Sequence, residues 1–191
     1  MRWNAGAMFQ AWRTSARRLH RDEHGFTAVE FGMVATPFLM FLFGIINVGL
    51  MYFTTFTIEN ATESAARAIR TGQIKTLGSG GVAASQAEFK AQVCNRVPGF
   101  VDCTNKLRVD VQVVADGAAP TPPSGNASGA LKTDEQMGYP AAFAGGQIVL
   151  VTTFYQWDLA KVLPFLNVGS SSMSDGSRLI RATVAFKNEP Y

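Results

Sequence analysis

The chain has 191 residues, which is enough for one modest globular domain beside a membrane helix and too few for two large domains. Its formal net charge is +3, and this excess lies in residues 1–25, where five arginines are offset by only two acidic residues. Residues 26–191 carry 12 basic and 12 acidic side chains. We therefore expect no basic surface in the body of the protein and no nucleic-acid partner.

The basic leader, residues 1–25, precedes a long apolar segment. Arginines beside a membrane span favour leaving that end in the cytoplasm, so the remainder of the chain is expected on the other side. In a bacterium this predicts a single-pass inner-membrane protein with a periplasmic C-terminal head. The leader itself fits an amphipathic surface helix or a disordered basic tail equally well.

Residues 31–58 contain no charged side chain. As a helix they would measure about 42 Å, longer than the roughly 30 Å of hydrocarbon in a bilayer. The pattern predicts one transmembrane and stem helix over residues 26–71, ending where Gly72 suits a helix C-terminus. Pro37 removes a backbone donor inside this helix and predicts a kink near residues 35 and 36.

The first part of the predicted head, residues 72–191, consists of a connector and a second helix. Residues 72–84 are rich in glycine and serine, which is typical of a flexible link. Ser85 and Glu88 match a capping box, so the helix is expected to begin there and to end before Pro98. Its apolar stripe comprises Phe89, Val93 and Val97.

The second part of the head predicts a small sheet. Apolar residues alternate with polar ones in a strand that begins near Lys106, and residues 148–155 are apolar on both faces, which suits a central strand. A third strand is expected over residues 179–187, with Val184 and Phe186 facing inward, and residues 116–130 read as a loop. The fold class is α+β, with a long N-terminal helix, a second helix and an antiparallel sheet of about three strands.

The two cysteines, Cys94 and Cys103, would meet oxidising conditions in an exported head. Their positions predict a disulfide between the end of the second helix and the first strand. Two unrelated buried thiols are the alternative. Their spacing is not that of a metal site, and we predict neither a metal nor a cofactor.

Both histidines, His20 and His24, precede the membrane segment, so the head has no histidine. A Ser/His/Asp or Cys/His nucleophile arrangement therefore cannot be built there. Residues 170–174 contain four serines in a Gly/Asp-rich stretch that suits a turn better than catalysis. We predict no catalytic residues and a protein that is not an enzyme.

Glu30 is the only charged residue between the basic leader and the apolar run. An ionised carboxylate inside an apolar helix costs several kcal/mol unless it is paired or lies at the membrane interface. One reading places it at headgroup level. The other requires a cation, which the α-amino group of Phe26 would supply if the chain were cut after Gly25, making Glu30 an assembly contact within or between subunits.

The sequence Gly25-Phe-Thr-Ala-Val-Glu30-Phe before a long apolar helix resembles the class III signal of type IV pilins. More closely, residues 28–31 (Ala-Val-Glu-Phe), the stem residues 59–67 and the terminal residues 186–191 resemble the TadE family of tight-adherence (Tad) pilus proteins. The resemblance implies cleavage between Gly25 and Phe26 by a prepilin peptidase. It also implies partnership with other pilin and pseudopilin subunits, the inner-membrane assembly platform and the membrane.

Three functions remain open on the sequence. The resemblance favours a minor pilin or pseudopilin, and a head of about 120 residues, against very short major pilins, favours initiation or the tip of the pilus. An uncleaved, membrane-anchored periplasmic binding module explains the helix but leaves the pairing of Gly25 with Glu30 accidental. A tethered periplasmic enzyme is disfavoured by the absence of histidine from the head.

Overall fold

The structure is a computed structural model, and it describes four stretches of the chain: residues 23–71, 81–115, 118–162 and 173–189. The chain divides into two compact units, Met1–Ile46 and Asn47–Tyr191. The elements in chain order are α1 (Glu23–Arg70), α2 (Gly81–Cys94), α3 (Cys103–Lys106), β1 (Leu107–Val114), β2 (Asn126–Ala127), β3 (Ala130–Leu131), a 3-10 helix (Asp134–Gln136), β4 (Ile148–Trp157), α4 (Leu159–Val162) and β5 (Arg178–Lys187).

Helix α1 is the longest element, with 48 residues. Its segment Phe26–Arg70 has the length and composition to cross a membrane, with a mean hydropathy of 2.0 in its most apolar window. The helix runs through Pro37 without interruption. Beside the proline, the Thr36 hydroxyl donates a 2.7 Å hydrogen bond to the carbonyl of Gly32. A bend at Pro37 stays a prediction.

The predicted start of the second helix is wrong. Helix α2 begins at Gly81, so Ser85 and Glu88 lie inside it and form no N-terminal capping box. The reason lies in the Val-Ala-Ala sequence of residues 82–84, whose alanines favour helix and extend it beyond the local capping signal. The predicted connector therefore overlaps the helix at residues 81–84, and its remainder, residues 72–80, lies outside the described residues.

The three-stranded antiparallel sheet is confirmed. Its strand order is β1-β4-β5, and Val151 at the centre of β4 pairs with Val111 of β1 and with Val184 of β5. Strand β4 is central, as its two-sided apolar pattern predicts, and nearly all of its residues are buried. On β5, Val184 and Phe186 lie against the core, also as predicted.

One face of the sheet packs against α2 and against the stem, the part of α1 from residue 47 to residue 70 that belongs to the second unit. The stem residues in this contact are small or β-branched, so the helix backbone approaches the sheet closely. At its centre the hydroxyls of Thr62 and Thr153 form a 3.0 Å hydrogen bond, and both side chains are fully buried. The fully or almost fully buried apolar residues of this core include Ile58, Ala61, Ala65, Ile69, Phe89, Val93, Leu107, Val109, Val111, Val149 and Val151.

The outer edge of β1 is covered by neighbouring elements. Gln86 of α2 donates to the carbonyl of Val109 at 3.0 Å, and the Val111 amide donates to the carbonyl of Gly138 at 2.8 Å. The Gly138 amide in turn donates to the Asp110 carboxylate at 2.6 Å. Burial raises the pKa of Asp110, and this hydrogen bond partly opposes the increase. These contacts satisfy backbone groups that an edge strand would otherwise expose.

The predicted loop over residues 116–130 contains part of a small hairpin. Strands β2 and β3 pair through Ala127 and Ala130, and the turn between them is Ser128-Gly129, both with positive φ. Such a turn matches the twist of a two-residue hairpin and favours glycine at one position. Strands of two residues show no hydrophobic alternation, so the sequence pattern did not reveal them.

Candidate assembly interface

The helical surface of the unit Met1–Ile46 is apolar and exposed. Side chains of this size are ordinarily buried in a soluble protein, and an exposed surface of this extent requires lipid or other helices to cover it. Phe31 is 74% exposed and Phe41 is 70% exposed. The exposed large apolar residues of this unit are Phe26, Val29, Phe31, Met33, Val34, Phe38, Leu39, Met40, Phe41, Leu42, Phe43, Ile45 and Ile46.

The predicted processing and assembly residues lie at the start of this surface. Gly25, Phe26 and Glu30 all belong to the first two turns of α1. Glu30 is exposed, and it forms no ion pair with any residue that the structure describes. Residues four apart on a helix lie on one side, so Phe26 and Glu30 are neighbours along the same face.

Cys94 and Cys103 form a disulfide, with their Cα atoms 5.6 Å apart and nine positions apart in sequence. Cys94 is the last residue of α2 and Cys103 is the first of α3, which leads directly into β1 at Leu107. The bond therefore ties the end of a helix to the beginning of the sheet. A second link comes from Lys90 of α2, whose ammonium donates to the carbonyl of Thr104 at 3.0 Å.

The described part of the predicted serine cluster has a structural contact. The Ser174 hydroxyl donates to the carbonyl of Gly129 at 3.1 Å, and its amide donates to the same oxygen at 2.8 Å. Ser174 thus joins the segment before β5 to the β2-β3 hairpin. Residues 170–172 lie outside the described stretches. Within those stretches no group of three His, Cys, Asp or Glu side chains could hold a metal ion.

Two features of the head escaped the sequence interpretation. The buried pair Thr62 and Thr153 joins residues 91 positions apart, and nothing in the sequence around either threonine indicates its partner. Phe100 is 54% exposed and contacts Phe53 of α1, with the two rings tilted by 30° and their centroids 6.2 Å apart. The only sequence signal for Phe100 was its place after the turn residues Pro98 and Gly99.

Residues 25–67 match the family model of the TadE-like proteins. This segment is TadE-like. The match begins at Gly25, includes Glu30 and ends at Arg67, three residues before the end of α1. It confirms the resemblance seen in the sequence and implies a role in Tad pilus assembly. The matched segment lies within the helix that has the length and composition to cross a membrane, which suggests a membrane-anchored protein.

No curated protein and no solved structure matches the chain. The TadE-like match covers the membrane helix and most of the stem but none of the residues from α2 onward. The resemblance of the C-terminal residues 186–191 to the same family stays a prediction. Of these, residues 190 and 191 lie outside the described residues.

Proposed function

We propose that the protein is a minor pilin or pseudopilin of a Tad-type pilus, processed by a prepilin peptidase between Gly25 and Phe26. The observation that carries the proposal is the TadE-like match, which begins at Gly25 and covers an apolar helix with Glu30 near its start. In this function the helix spans the inner membrane before assembly, with the leader in the cytoplasm and the head in the periplasm.

Assembly would exchange one apolar environment for another. The exposed phenylalanines and aliphatic side chains of residues 26–46 contact lipid before assembly and the helices of other subunits afterwards. An ionised carboxylate buried without a partner among apolar helices would be costly. Glu30 is therefore assigned to the α-amino group of Phe26, on the same subunit or its neighbour, which forms only when the leader is removed.

The size of the head supports a place at the start or tip of the pilus. A major subunit must repeat along the fibre, whereas an initiating or tip subunit can carry a large domain without repeating it. The unit Asn47–Tyr191 has its own core of stem, α2 and sheet. Such a head would be carried outward with the first subunits and would be available for adhesion at the cell surface.

Cleavage is tested by intact mass and N-terminal sequencing of the full chain produced in a cell with its Tad system. We expect Phe26 as the first residue, and Gly25→Val should abolish the cut because a bulky side chain replaces hydrogen beside the scissile bond. The matched control is Gly32→Val, since a Cβ at Gly32 meets no atom within 4 Å. An intact leader on the wild-type chain would refute processing and support the uncleaved anchor.

The role of Glu30 is tested separately from cleavage. We expect Glu30→Ala to mature with Phe26 at its N-terminus but to be lost from sheared pili, because the amine has no carboxylate partner. Glu63→Ala, which changes an exposed carboxylate on the stem, should mature and assemble. Normal incorporation of the Glu30→Ala chain into pili would contradict the proposed contact.

A further inference from the structure

A cluster of exposed apolar side chains lies on the head unit at the end where the stem begins. We call it the proximal patch, and it consists of Leu50, Phe53, Phe100 and Leu159. Phe53 and Phe100 are 52% and 54% exposed, and Leu50 and Leu159 are each 38% exposed. Leu50, Phe100 and Leu159 also line one open cavity of about 320 Å³. Three separate segments of the chain thus converge on one apolar surface.

The fold holds Phe100 in its exposed position. The Val101 amide donates to the carbonyl of Pro98 at 2.9 Å, which closes a turn with Phe100 at its third position. Val101 itself is buried in the core, and the disulfide at Cys103 fixes the chain two residues further on. Within the chain its ring meets that of Phe53, with ring centroids 6.2 Å apart, yet Phe100 remains 54% exposed. The exposed part of the ring is open to a contact from outside the chain.

The position of the patch along α1 indicates what that contact is. Residues 31–58 are uncharged, and Glu30 with the basic leader marks one boundary of the hydrocarbon. A hydrocarbon layer of roughly 30 Å takes about 20 helical residues, which brings the helix to the region of Leu50. Leu50 and Phe53 then lie at the other boundary, and Phe100 and Leu159 lie beside them on the head.

The polar surroundings of the patch fit the same level of the membrane. The cavity beneath it is also lined by Asp102, Lys106 and Asp158. Lys106 and Asp158 form an ion pair, which raises the pKa of Lys106, chiefly through their hydrogen bond. Apolar and aromatic side chains bordered by charged groups are typical of surfaces that sit between acyl chains and headgroups.

We infer that the proximal patch inserts among the phospholipids of the leaflet on the head's side and seats the head on the bilayer. Phe100 and Phe53 contact the acyl chains near the glycerol groups, and the charged cavity rim faces the headgroups. Two of its four residues, Leu50 and Phe53, belong to α1, the helix whose apolar segment can cross a membrane. The inference rests on membrane anchoring and not on cleavage after Gly25, so a chain that keeps its leader has the same contact.

The test uses photocrosslinking of the full chain in vesicles of phosphatidylethanolamine with a minority of phosphatidylglycerol. Phe100→p-benzoylphenylalanine places a photoreactive ring on the patch. Ala185→p-benzoylphenylalanine is the control, since Ala185 is exposed on β5, about 24 Å along the strand from the end that pairs with Trp157 beside the cavity. An intact mass that includes the Cys94–Cys103 disulfide shows that each variant has folded.

We expect protein–phospholipid adducts at position 100, several-fold more abundant than at position 185. Equal lipid labelling at the two positions would overturn the inference. So would adducts between two protein chains that replace the lipid adducts at position 100, because they would assign the patch to a second subunit. Phe100→Trp gives an independent measurement, and its emission should be quenched by lipids brominated near the glycerol several-fold more than that of Ala185→Trp. Equal quenching of the two would also overturn it.

Discussion

Removal of the disulfide should destabilise the head by an amount that can be worked out from its position. The perturbation is the double variant Cys94→Ser and Cys103→Ser, which opens a loop with a sequence separation of nine. In the chain-entropy model, closing a loop of about ten residues lowers the entropy of the unfolded chain, which stabilises the folded state by about 2.7 kcal/mol. Domains are stable by only about 5–15 kcal/mol, so this is a large fraction of the total.

The assay is thermal unfolding of the full chain in detergent micelles or bilayer discs, followed by near-ultraviolet circular dichroism. Trp157 and Tyr155 lie in the core of the head and report on its tertiary structure. For a domain of this size, about 2.7 kcal/mol corresponds to a fall in Tm of roughly 5–10 °C. Reductant added to the wild type should produce the same shift.

Reductant also separates the loss of the bond from the effect of the serines. It should leave the Tm of the double variant unchanged, because that chain has no disulfide to reduce. The chain-entropy argument would be refuted if the free energy of unfolding fell by less than about 1 kcal/mol in both the double variant and the reduced wild type. Such a result would mean that the unfolded chain keeps Cys94 and Cys103 close to each other even without the disulfide, through residual structure between α2 and β1.

Two predictions concern the packing of the head, and chemical denaturation measures both. Thr62→Val or Thr153→Val alone should cost about 1–3 kcal/mol by leaving a buried hydroxyl without its partner. The two together should cost clearly less than the sum, and strictly additive effects would contradict the pairing. A Cβ at Gly125 would lie 2.2 Å from the buried Phe154 ring, so Gly125→Ala should cost about 1–3 kcal/mol. Gly99→Ala, whose Cβ meets nothing within 4 Å, should change stability by less than about 0.5 kcal/mol, and equal losses would refute the clash.

The elements that the sequence predicted well are those whose burial repeats along the chain. Strand β1 alternates because one of its faces lies in the core, where α2 packs against it. Strand β4 is apolar on both faces because it is the central strand and nearly all of its residues are buried. In both strands, the positions of the apolar residues in the sequence follow directly which side chains are buried. The TadE-like segment was recognisable for a different reason, because its residues from Gly25 to Glu30 and in the stem resemble the motifs of that family.

The features that the sequence did not predict depend on contacts between distant segments. Ser85 matched a local capping signal, yet it lies inside α2 and is buried there, and that burial depends on the segments packed around it rather than on the neighbouring sequence. Gln86 gave no signal for its hydrogen bond with Val109, which lies 23 positions away. Phe100 followed a turn signal, but whether a turn residue is exposed depends on what surrounds it in the folded head.

The two ends of α1 differ in burial. Before residue 47 its large apolar side chains are exposed, so this part requires lipid or other helices to cover it. From Ile58 onward the stem is buried in the core of the head through Ile58, Ala65 and Ile69. Because protein interiors are close-packed, that part cannot slide or rotate without opening cavities in the core. The stem therefore keeps one fixed position in the core of the head.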